Sequence, residues 1–297
     1  MRKEKKKLTE HTIKSVIDCI SLYLSSCEGK GKEIAGIIFS NEGAKGREPL
    51  FDVSYSGTKD IFAYWEDQRR GIICISAERP GYEIRAPKNM SNFFESYYCQ
   101  DFLITYLDVT HLDVSHSDDF RWCFNRFGDN DFRSGALVQI IGLETWDVCN
   151  GRNFDDCFAH AFSNNIHINL DLSNWQFNNR EAIITMSFMF LEFAQNAKSV
   201  SLDVSNWNVE NVADFFKAFA DFGINSKNVQ IKGIEDWRLK NANTNLSNAF
   251  KNFAPMSQCC LDLSKWTEGC EYDCDISGFS KGTFFRIKEP VKQGKKN

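Results

Sequence analysis

The densest group of metal-ligating residue types lies near the carboxyl end of the chain. The thiols of Cys259, Cys260, Cys270 and Cys274 fall within 16 residues, and a tetrahedral zinc site needs four thiolate or imidazole ligands at short paired spacings. Adjacent residues of a strand point to opposite faces, so Cys259 and Cys260 would not share one ion there. We therefore predict no metal ion and no cofactor. Zinc at these four residues, or a disulfide from Cys270 to Cys274 or to Cys260, stays open as an alternative.

The sequence shows no pattern of nucleophile, base and orienting residue. None of the five histidines has a partner at the spacing of a nucleophile motif. Residues 29–32 lack the glycine spacing and the hydroxyl residue of a phosphate-binding loop, and residues 129–131 lack the later Gly and Glu of an EF-hand. We predict that the chain is not an enzyme. An active site between the amino-terminal region and the first repeats is the alternative.

Charge is distributed unevenly along the chain. The net charge is −5, but residues 1–10 carry +3 and residues 281–297 carry +5, which leaves −13 for residues 11–280. Such an acidic body argues against nucleic-acid binding, which needs clustered Lys and Arg. The basic ends are predicted to be solubilising tails. No apolar run approaches the roughly 20 residues of a membrane helix, so we predict no membrane span.

The cysteines and the amino-terminal segment bear on the cellular compartment. The chain has 11 scattered cysteines, an odd number that is more typical of a reduced, cytosolic protein than of a disulfide framework. Residues 24–27 resemble a lipoprotein cleavage box that would anchor the chain at Cys27, but charged and polar residues such as Glu10 and Lys14 interrupt the apolar core that a signal peptide needs. We predict the cytoplasm of a bacterium or of a phage-infected host cell.

A repeat sets the predicted architecture. Five tryptophans recur at gaps of 29, 32, 30 and 29 residues, and a short apolar–polar alternation precedes each one; they are Trp146, Trp175, Trp207, Trp237 and Trp266. An earlier copy carries Leu112 in the Trp position. Alternation with a period of two predicts a strand with one face toward the core. Since one unit cannot bury its own apolar face, we predict that the units stack into a solenoid.

A second aromatic marker follows each tryptophan. Its two rings are three or four residues apart, which predicts a short helical turn with both rings on one side. The pairs are Phe94 with Tyr97, Phe124 with Phe127, Phe158 with Phe162, Phe190 with Phe193, Phe219 with Phe222, and Phe250 with Phe253. Each unit is thus predicted to be a strand, a Trp turn, an Asn-rich connection and a helical turn.

This pattern resembles the BspA-like leucine-rich repeats, also described as the bacterial surface protein repeat. The family's unit has the style L-D-L-S-N-W/F, then an Asn/Thr-rich turn and M-x-x-M-F; residues 170–190 match it most closely, with Met186, Met189 and Phe190 in order. The resemblance covers about residues 90–280, although these units run longer than the family's and the first copy lacks Trp. It implies a leucine-rich-repeat-type α/β solenoid of six to seven units. It also implies the role of many members, a secreted or lipid-anchored adhesin.

The outward face of the predicted strands is the candidate partner-binding site. A column of acids, Asp108, Asp171, Asp203 and Asp262, runs along it and is interrupted by Gly142. Beside it lie Thr110, Glu144, Ser173, Ser205, Glu235 and Ser264. Like charges in register repel, so such a ladder is best tolerated where water or a basic partner screens it. Either a solvated surface or a face that binds a basic protein surface is consistent with this pattern.

Residues 1–87 do not follow the repeat and are predicted to form a small α+β domain. A basic tail (residues 1–7) and a helix (about residues 8–27) come first. Four apolar or alternating runs, at residues 34–39, 51–55, 61–65 and 71–76, predict an antiparallel sheet, to which residues 82–85 could add a fifth strand. The domain would cap the solenoid (residues 88–280) or provide a contact surface, including one between copies of the chain. Residues 281–297 are the basic carboxyl tail.

The predicted function is non-enzymatic binding of another macromolecule, most simply a protein. A sharper hypothesis is an inhibitor that docks on and blocks a host macromolecular complex, as phage-encoded anti-defence proteins do. The absence of a catalytic pattern and of an export signal, the acidic body and the compact length motivate it. The alternative class is a surface-anchored adhesin or lipoprotein with Cys27 as its anchor.

Overall fold

A computed structural model describes residues 15–55, 59–95, 103–129, 137–177, 183–239, 244–263 and 265–266, and the backbone of 284–286. Strands are the main regular secondary structure of these residues, and helices are few. The one α-helix among them, α1, spans Val16–Ser25, and short 3-10 helices span Gln68–Arg70, Leu143–Thr145 and Ile234–Asp236. The strands are β1 (Gly36–Phe39), β2 (Phe51–Asp52), β3 (Ile61–Asp67), β4 (Ile72–Ala77), β5 (Ile84–Arg85), β6 (Tyr106–Asp108), β7 (Leu112–Asp113), β8 (Gln139–Ile141), β9 (His167–Asp171), β10 (Ile184–Thr185), β11 (Ser199–Asp203), β12 (Val212–Asp214), β13 (Asn228–Lys232), β14 (Cys260–Asp262) and β15 (Phe284–Arg286).

The predicted solenoid is confirmed, and within the described residues about five turns connect the six repeat strands β6, β8, β9, β11, β13 and β14. Each turn contributes one strand to a parallel ladder: β6 pairs with β8, β11 pairs with β9 and β13, and β14 pairs with β15. A second parallel ladder follows a corner of each turn, through β5–β7, β10–β12 and single bridges such as Asp119 to Asn153. The two ladders place equivalent residues of successive turns side by side.

The amino-terminal sheet differs from the predicted antiparallel one. β2, β3 and β4 are antiparallel, but β1 runs parallel to both β4 and β6, so the mixed sheet has the order β2-β3-β4-β1-β6-β8. Sequence alternation does not show strand direction, which is why this pairing was missed. β5 does not join this sheet and pairs with β7 in the corner ladder. The division at residue 87 stays a prediction, and the sheet and the apolar core both run across it.

Helix α1 closes the amino-terminal end of this core. Ser15 caps it by accepting a hydrogen bond from the N–H of Asp18 at 3.3 Å, and Val16 and Ile20 are fully buried. The ring of Tyr23 packs against Phe51, with ring centroids 5.0 Å apart. In the described part of the chain, no helix has both the length and the apolar character needed to cross a membrane.

The periodic tryptophans form a buried ladder through the core. Their side chains are 0–5 % exposed, and successive rings stack with centroids 5.4–6.3 Å apart. The indole N–H groups of Trp175, Trp207 and Trp266 donate to main-chain carbonyls of the preceding turn at 2.6–2.9 Å. In these three residues, burial of a large ring is combined with a partner for its polar atom, whereas the buried Nε1 of Trp237 has no hydrogen-bond partner among the described residues.

The second aromatic marker is also buried, but the predicted helical turns are wrong. Two further ladders of phenylalanines stack along the core, for example Phe124 on Phe158 at 5.0 Å and Phe193 on Phe222 at 5.2 Å. The backbone that carries them is a ribbon of overlapping β-turns. Its alternate N–H groups donate three residues back within the turn, as Cys123 to Phe120, or across to the next turn, as Phe124 to Cys157. Hydrogen bonds between the backbones of neighbouring turns replace the hydrogen bonds of a helix. The spacing of residues in the sequence does not show such contacts, which is why a helical turn was expected. The predicted partner of Phe94, Tyr97, lies outside the described residues.

Candidate binding surface

The outward face of β9, β11 and β13 is a regular array of polar side chains. Along each strand, buried and outward-facing residues alternate. The strands are in register without a shift, which gives three cross-strand rows: His167–Ser199–Asn228, Asn169–Ser201–Gln230 and Asp171–Asp203–Lys232. We name this array the strand face.

Side-chain size gives the strand face its shape. The central strand β11 presents small, half-buried serines, Ser199 and Ser201, between longer and exposed side chains on β9 and β13. His167 Nδ1 lies 2.8 Å from Ser199 Oγ. The face is therefore a shallow trough with hydrogen-bonding groups on its floor and both sides.

The predicted acidic column is only partly acidic. In the register of the strands, Ile141 lies beside Asp108 and Lys232 lies beside Asp203. Lys232 Nζ is 3.4 Å from Asp203 Oδ2. On the next pair, Asp262 is in register with Arg286. Asp171 and Asp203 are adjacent acids in this column, but Lys232 lies beside Asp203 and Ile141 beside Asp108. The column is therefore not the continuous acidic ladder that the sequence suggests.

Gly142, which the sequence placed in this column, is instead an inserted residue after the strand, as is Gly233. Three residues separate Asp203 from Trp207, but four separate its register partner Lys232 from Trp237. Gly233 has φ 89° and Gly142 φ 93°, in the left-handed region that favours glycine. Alignment on the tryptophans alone hides this insertion.

The column acids also have a structural task. Oδ1 of Asp108, Asp171 and Asp203 accepts the N–H two residues later, from Thr110, Ser173 and Ser205, at 2.9–3.1 Å. Such Asx turns end each strand and start the Trp turn. Partial burial raises the pKa of Asp203, but the hydrogen bonds from Ser205 and the nearby Lys232 outweigh it and hold that pKa below its usual value. These carboxylates are therefore parts of the fold as well as of the surface.

The other predicted contact residues are not in one row with the acids. Glu144 and Glu235 lie in 3-10 helices after the inserted glycines. Glu144 Oε2 accepts the N–H of Gly142 at 3.1 Å. Asp262 is exposed at the end of β14, and Ser264 lies outside the described residues.

The predicted cysteine cluster is described only in part. Cys259 is half-buried, β14 begins at Cys260, and Cys270 and Cys274 lie outside the described residues. Among the described side chains, no group of three or more His, Cys, Asp or Glu residues is arranged to hold a metal ion. The zinc and disulfide alternatives stay predictions, because both involve residues outside the described part of the chain.

Sequence reasoning missed an open groove on the turn ribbons. It has a volume of about 510 Å³ and is lined by residues that include Trp122, Asp155, Asp156, Phe188 and Phe216. Burial and the neighbouring Asp155 raise the pKa of Asp156 to about 6. One signal was available in the sequence, because Trp122 falls outside the period of the five core tryptophans. The side-by-side placement of the other residues needed the register of the turns.

Stacked parallel strands and aromatic ladders define a repeat solenoid protein. A family model described as "Mycoplasma protein of unknown function, DUF285" matches residues 88–232 and, in a second overlapping copy, residues 132–266. Together the matches span more than half of the chain, and the chain belongs to this family. The family and the solenoid are compatible with the BspA-like resemblance. Comparison with curated proteins and with solved structures found no match.

Proposed function

We propose that this chain is a non-enzymatic protein-binding solenoid and that the strand face is its main contact surface. The observation that carries the proposal is the in-register array of outward polar side chains on β9, β11 and β13. A scaffold whose turns are joined by backbone hydrogen bonds and stacked rings holds these groups in place before a partner arrives. Preorganised groups lose little conformational entropy on binding, which favours affinity.

The chemistry of the strand face suits a folded, polar partner. Hydroxyl, amide, imidazole and carboxylate groups are mixed with one lysine, Lys232, and the trough floor is made of small serines. Solenoids use such extended faces because each turn adds one more row of contacts. A mixed array of donors and acceptors selects a partner through hydrogen bonds more than through bulk charge.

The finer proposal is that docking blocks a host macromolecular complex, the role of an anti-defence inhibitor in a bacterial or phage-infected cytoplasm. The acidic body and the lack of a catalytic pattern in the sequence support it. It adds one expectation, that the purified partner complex loses its activity when the chain is added in equimolar amount. Activity that persists at saturating binding would leave a binding protein without an inhibitory role.

The lipoprotein alternative meets a structural objection. Cleavage before Cys27 would remove α1, whose Val16, Ile17 and Ile20 are 0–3 % exposed and belong to the core. A mature form without them would expose the apolar surface that they cover on the amino-terminal sheet. Fractionation of cells is the direct check, because a membrane-bound form lacking residues 1–26 would favour the lipoprotein role.

The strand face is tested by capture of the tagged full chain from lysates of bacteria, with and without phage infection. Ser201→Arg places a long side chain on the floor of the trough and is expected to abolish capture of the partner. Met256→Arg is the control, because Met256 is 61 % exposed and lies outside the strand face. A partner that both variants retain would contradict the assignment of this face, and a lack of any stoichiometric partner would contradict the proposed function.

A further inference from the structure

Two grooves meet at Trp122 on the turn-ribbon side of the solenoid. The first, of about 510 Å³, runs past Asp155, Asp156 and Phe188. The second, of about 560 Å³, runs toward α1 and is lined by residues that include Asp18 and Glu95. Trp122 lines both. The surface is therefore longer than either groove and has one aromatic side chain at its centre.

Trp122 differs from the periodic tryptophans because it is exposed and lies outside the apolar core. Its side chain is 39 % exposed, whereas the five periodic tryptophans are 0–5 % exposed. Its φ is 54°, and this left-handed conformation is a property of the repeat, since the equivalent residues of the other turns have φ of 53–60°; they are Asn92, Asp156, Phe188, Lys217 and Asn248. What sets Trp122 apart is the exposure of a large aromatic side chain, a residue type enriched at protein-contact surfaces.

Two cationic side chains of the protein itself already lie over aromatic rings of this surface. The Arg121 guanidinium lies over the Trp122 indole at 5.7 Å, while it pairs with Asp119 at 2.7 Å. Further along the first groove, Lys217 Nζ lies 5.8 Å from the Phe188 ring centroid and 5.4 Å from that of Phe216. Both contacts are within the range of cation–π attraction.

The two grooves carry an excess of acidic side chains, which favours a basic partner. The described residues that line the two grooves include five carboxylates and one basic residue; the acids are Asp18, Glu95, Asp155, Asp156 and Asp214. With Lys217, which lies against the Phe188 and Phe216 rings of the first groove, the acids outnumber the basic residues five to two. The lining basic residue, Arg121, is committed to Asp119. Acids therefore lie on both sides of an exposed indole. A lysine or arginine side chain would find carboxylates on each side of the indole, in a surface whose rings already lie against cations of the chain itself.

We propose that the two grooves form one docking surface for an extended basic segment of a partner protein, with cationic side chains on both sides of Trp122. This surface lies on the turn ribbons and is separate from the strand face. It goes beyond the proposed function, because it names the chemistry of a second contact that does not depend on the first.

The test uses the full chain and a fluorescein-labelled peptide of alternating Gly and Arg, with binding followed by fluorescence anisotropy. Trp122→Ala and the double variant Asp155→Asn with Asp156→Asn are each expected to raise the Kd at least about tenfold. Asparagine keeps an oxygen at Asp155 for the N–H of Ser187, which Asp155 now accepts at 2.8 Å. Trp122→Phe keeps a ring in place and is expected to recover part of the binding.

The matched control is Asp171→Asn with Asp203→Asn, which removes the same charge from the strand face and is expected to change the Kd less than about twofold. Equal weakening by both double variants would mean general attraction to an acidic protein and would overturn the proposal. So would unchanged binding to Trp122→Ala, no peptide binding at all, or Trp122-dependent binding of a neutral oligosaccharide instead. Capture of the strand-face partner from lysate is repeated with Trp122→Ala to distinguish the two proposals. If only the docking-surface proposal is wrong, the partner is still captured through the strand face. If the proposed function is wrong, no partner is captured even by the wild-type chain.

Discussion

The indole rings of Trp175 and Trp207 lie nearly parallel in successive turns, with centroids 6.3 Å apart and an angle of 6° between their planes. The spacing is set by the ladder that holds β9 beside β11, in which Leu170 is the partner of Leu202. Each ring covers the face of the next, so no turn completes its core without a neighbour. Stacking of the tryptophan rings of successive turns is therefore a main source of the stability of the solenoid.

Trp207→Ala is expected to lower the free energy of unfolding by about 3–5 kcal/mol, because it removes a buried ring and leaves a cavity between Trp175 and Trp237. The ring is 5 % exposed, and its N–H donates to the carbonyl of Leu172 at 2.7 Å. Urea denaturation followed by circular dichroism measures the loss. Trp122→Ala, at an exposed ring, is the control and is expected to cost less than about 1 kcal/mol. Equal loss in the two variants would contradict the ladder as the core.

Gly233→Ala is expected to destabilise the chain by about 3 kcal/mol or more. A Cβ at this residue would lie 2.0 Å from the Cα of Ser205 in the preceding turn, and φ is 89°. Gly81→Ala separates the two causes, since Gly81 has φ 85° but open space around its Cβ position. That variant should lose about 1 kcal/mol from backbone strain alone. Similar melting temperatures for both variants would count against the close approach of the turns.

Asp156→Asn is expected to make stability less dependent on pH. The pKa of Asp156 is raised to about 6 by burial and by Asp155, so the folded state holds a proton that the unfolded state has lost between about pH 4 and 6. The wild-type side chain thus destabilises the fold increasingly as pH rises through this window. The Asn variant should be more stable than the wild type by about 1 kcal/mol at pH 7, which is less than the full pKa shift implies because Asp156 is partly exposed to solvent. Near pH 4 the two proteins should be equally stable. An offset that is the same at both pH values would contradict the assignment.

Asp171→Ala is expected to cost about 1 kcal/mol, because the Asx turn loses its acceptor. Asp171→Asn retains an oxygen for the N–H of Ser173, which is 2.9 Å from Asp171 Oδ1, and should remain within a few tenths of a kcal/mol of the wild type. Thermal unfolding of the two variants makes the comparison. If Asp171→Asn were as unstable as Asp171→Ala, the charge rather than the turn would be the stabilising element. The pair also shows which substitution is safe for binding experiments on the strand face.

Parts of this architecture can be predicted from residue types and their spacing. The period of the tryptophans predicted a stacked solenoid with those rings in its core, and the alternation around Leu170 and Leu202 predicted strands with one buried face. Both patterns are local consequences of burial: a residue type recurs wherever the same environment recurs. The amino-terminal helix is expected for the same reason, and α1 lies within the predicted residues 8–27 but is shorter, because Ser15 caps it and it spans Val16–Ser25.

Only the tertiary structure decided how the turns meet. Sequence spacing favoured helical turns at Phe124 and Phe127, but hydrogen bonds to the neighbouring turn made the same residues a ribbon of β-turns. The register placed Lys232 beside Asp203 and showed Gly233 to be an insertion. It also brought Trp122, Asp156 and Phe188, which are far apart in sequence, to one groove. The sequence by itself determined that the periodic tryptophans, the paired phenylalanines and the alternating strand residues are buried, since their burial follows from residue type and period. Neighbours across turns depend on a register and on backbone hydrogen bonds that form only when the chain stacks upon itself.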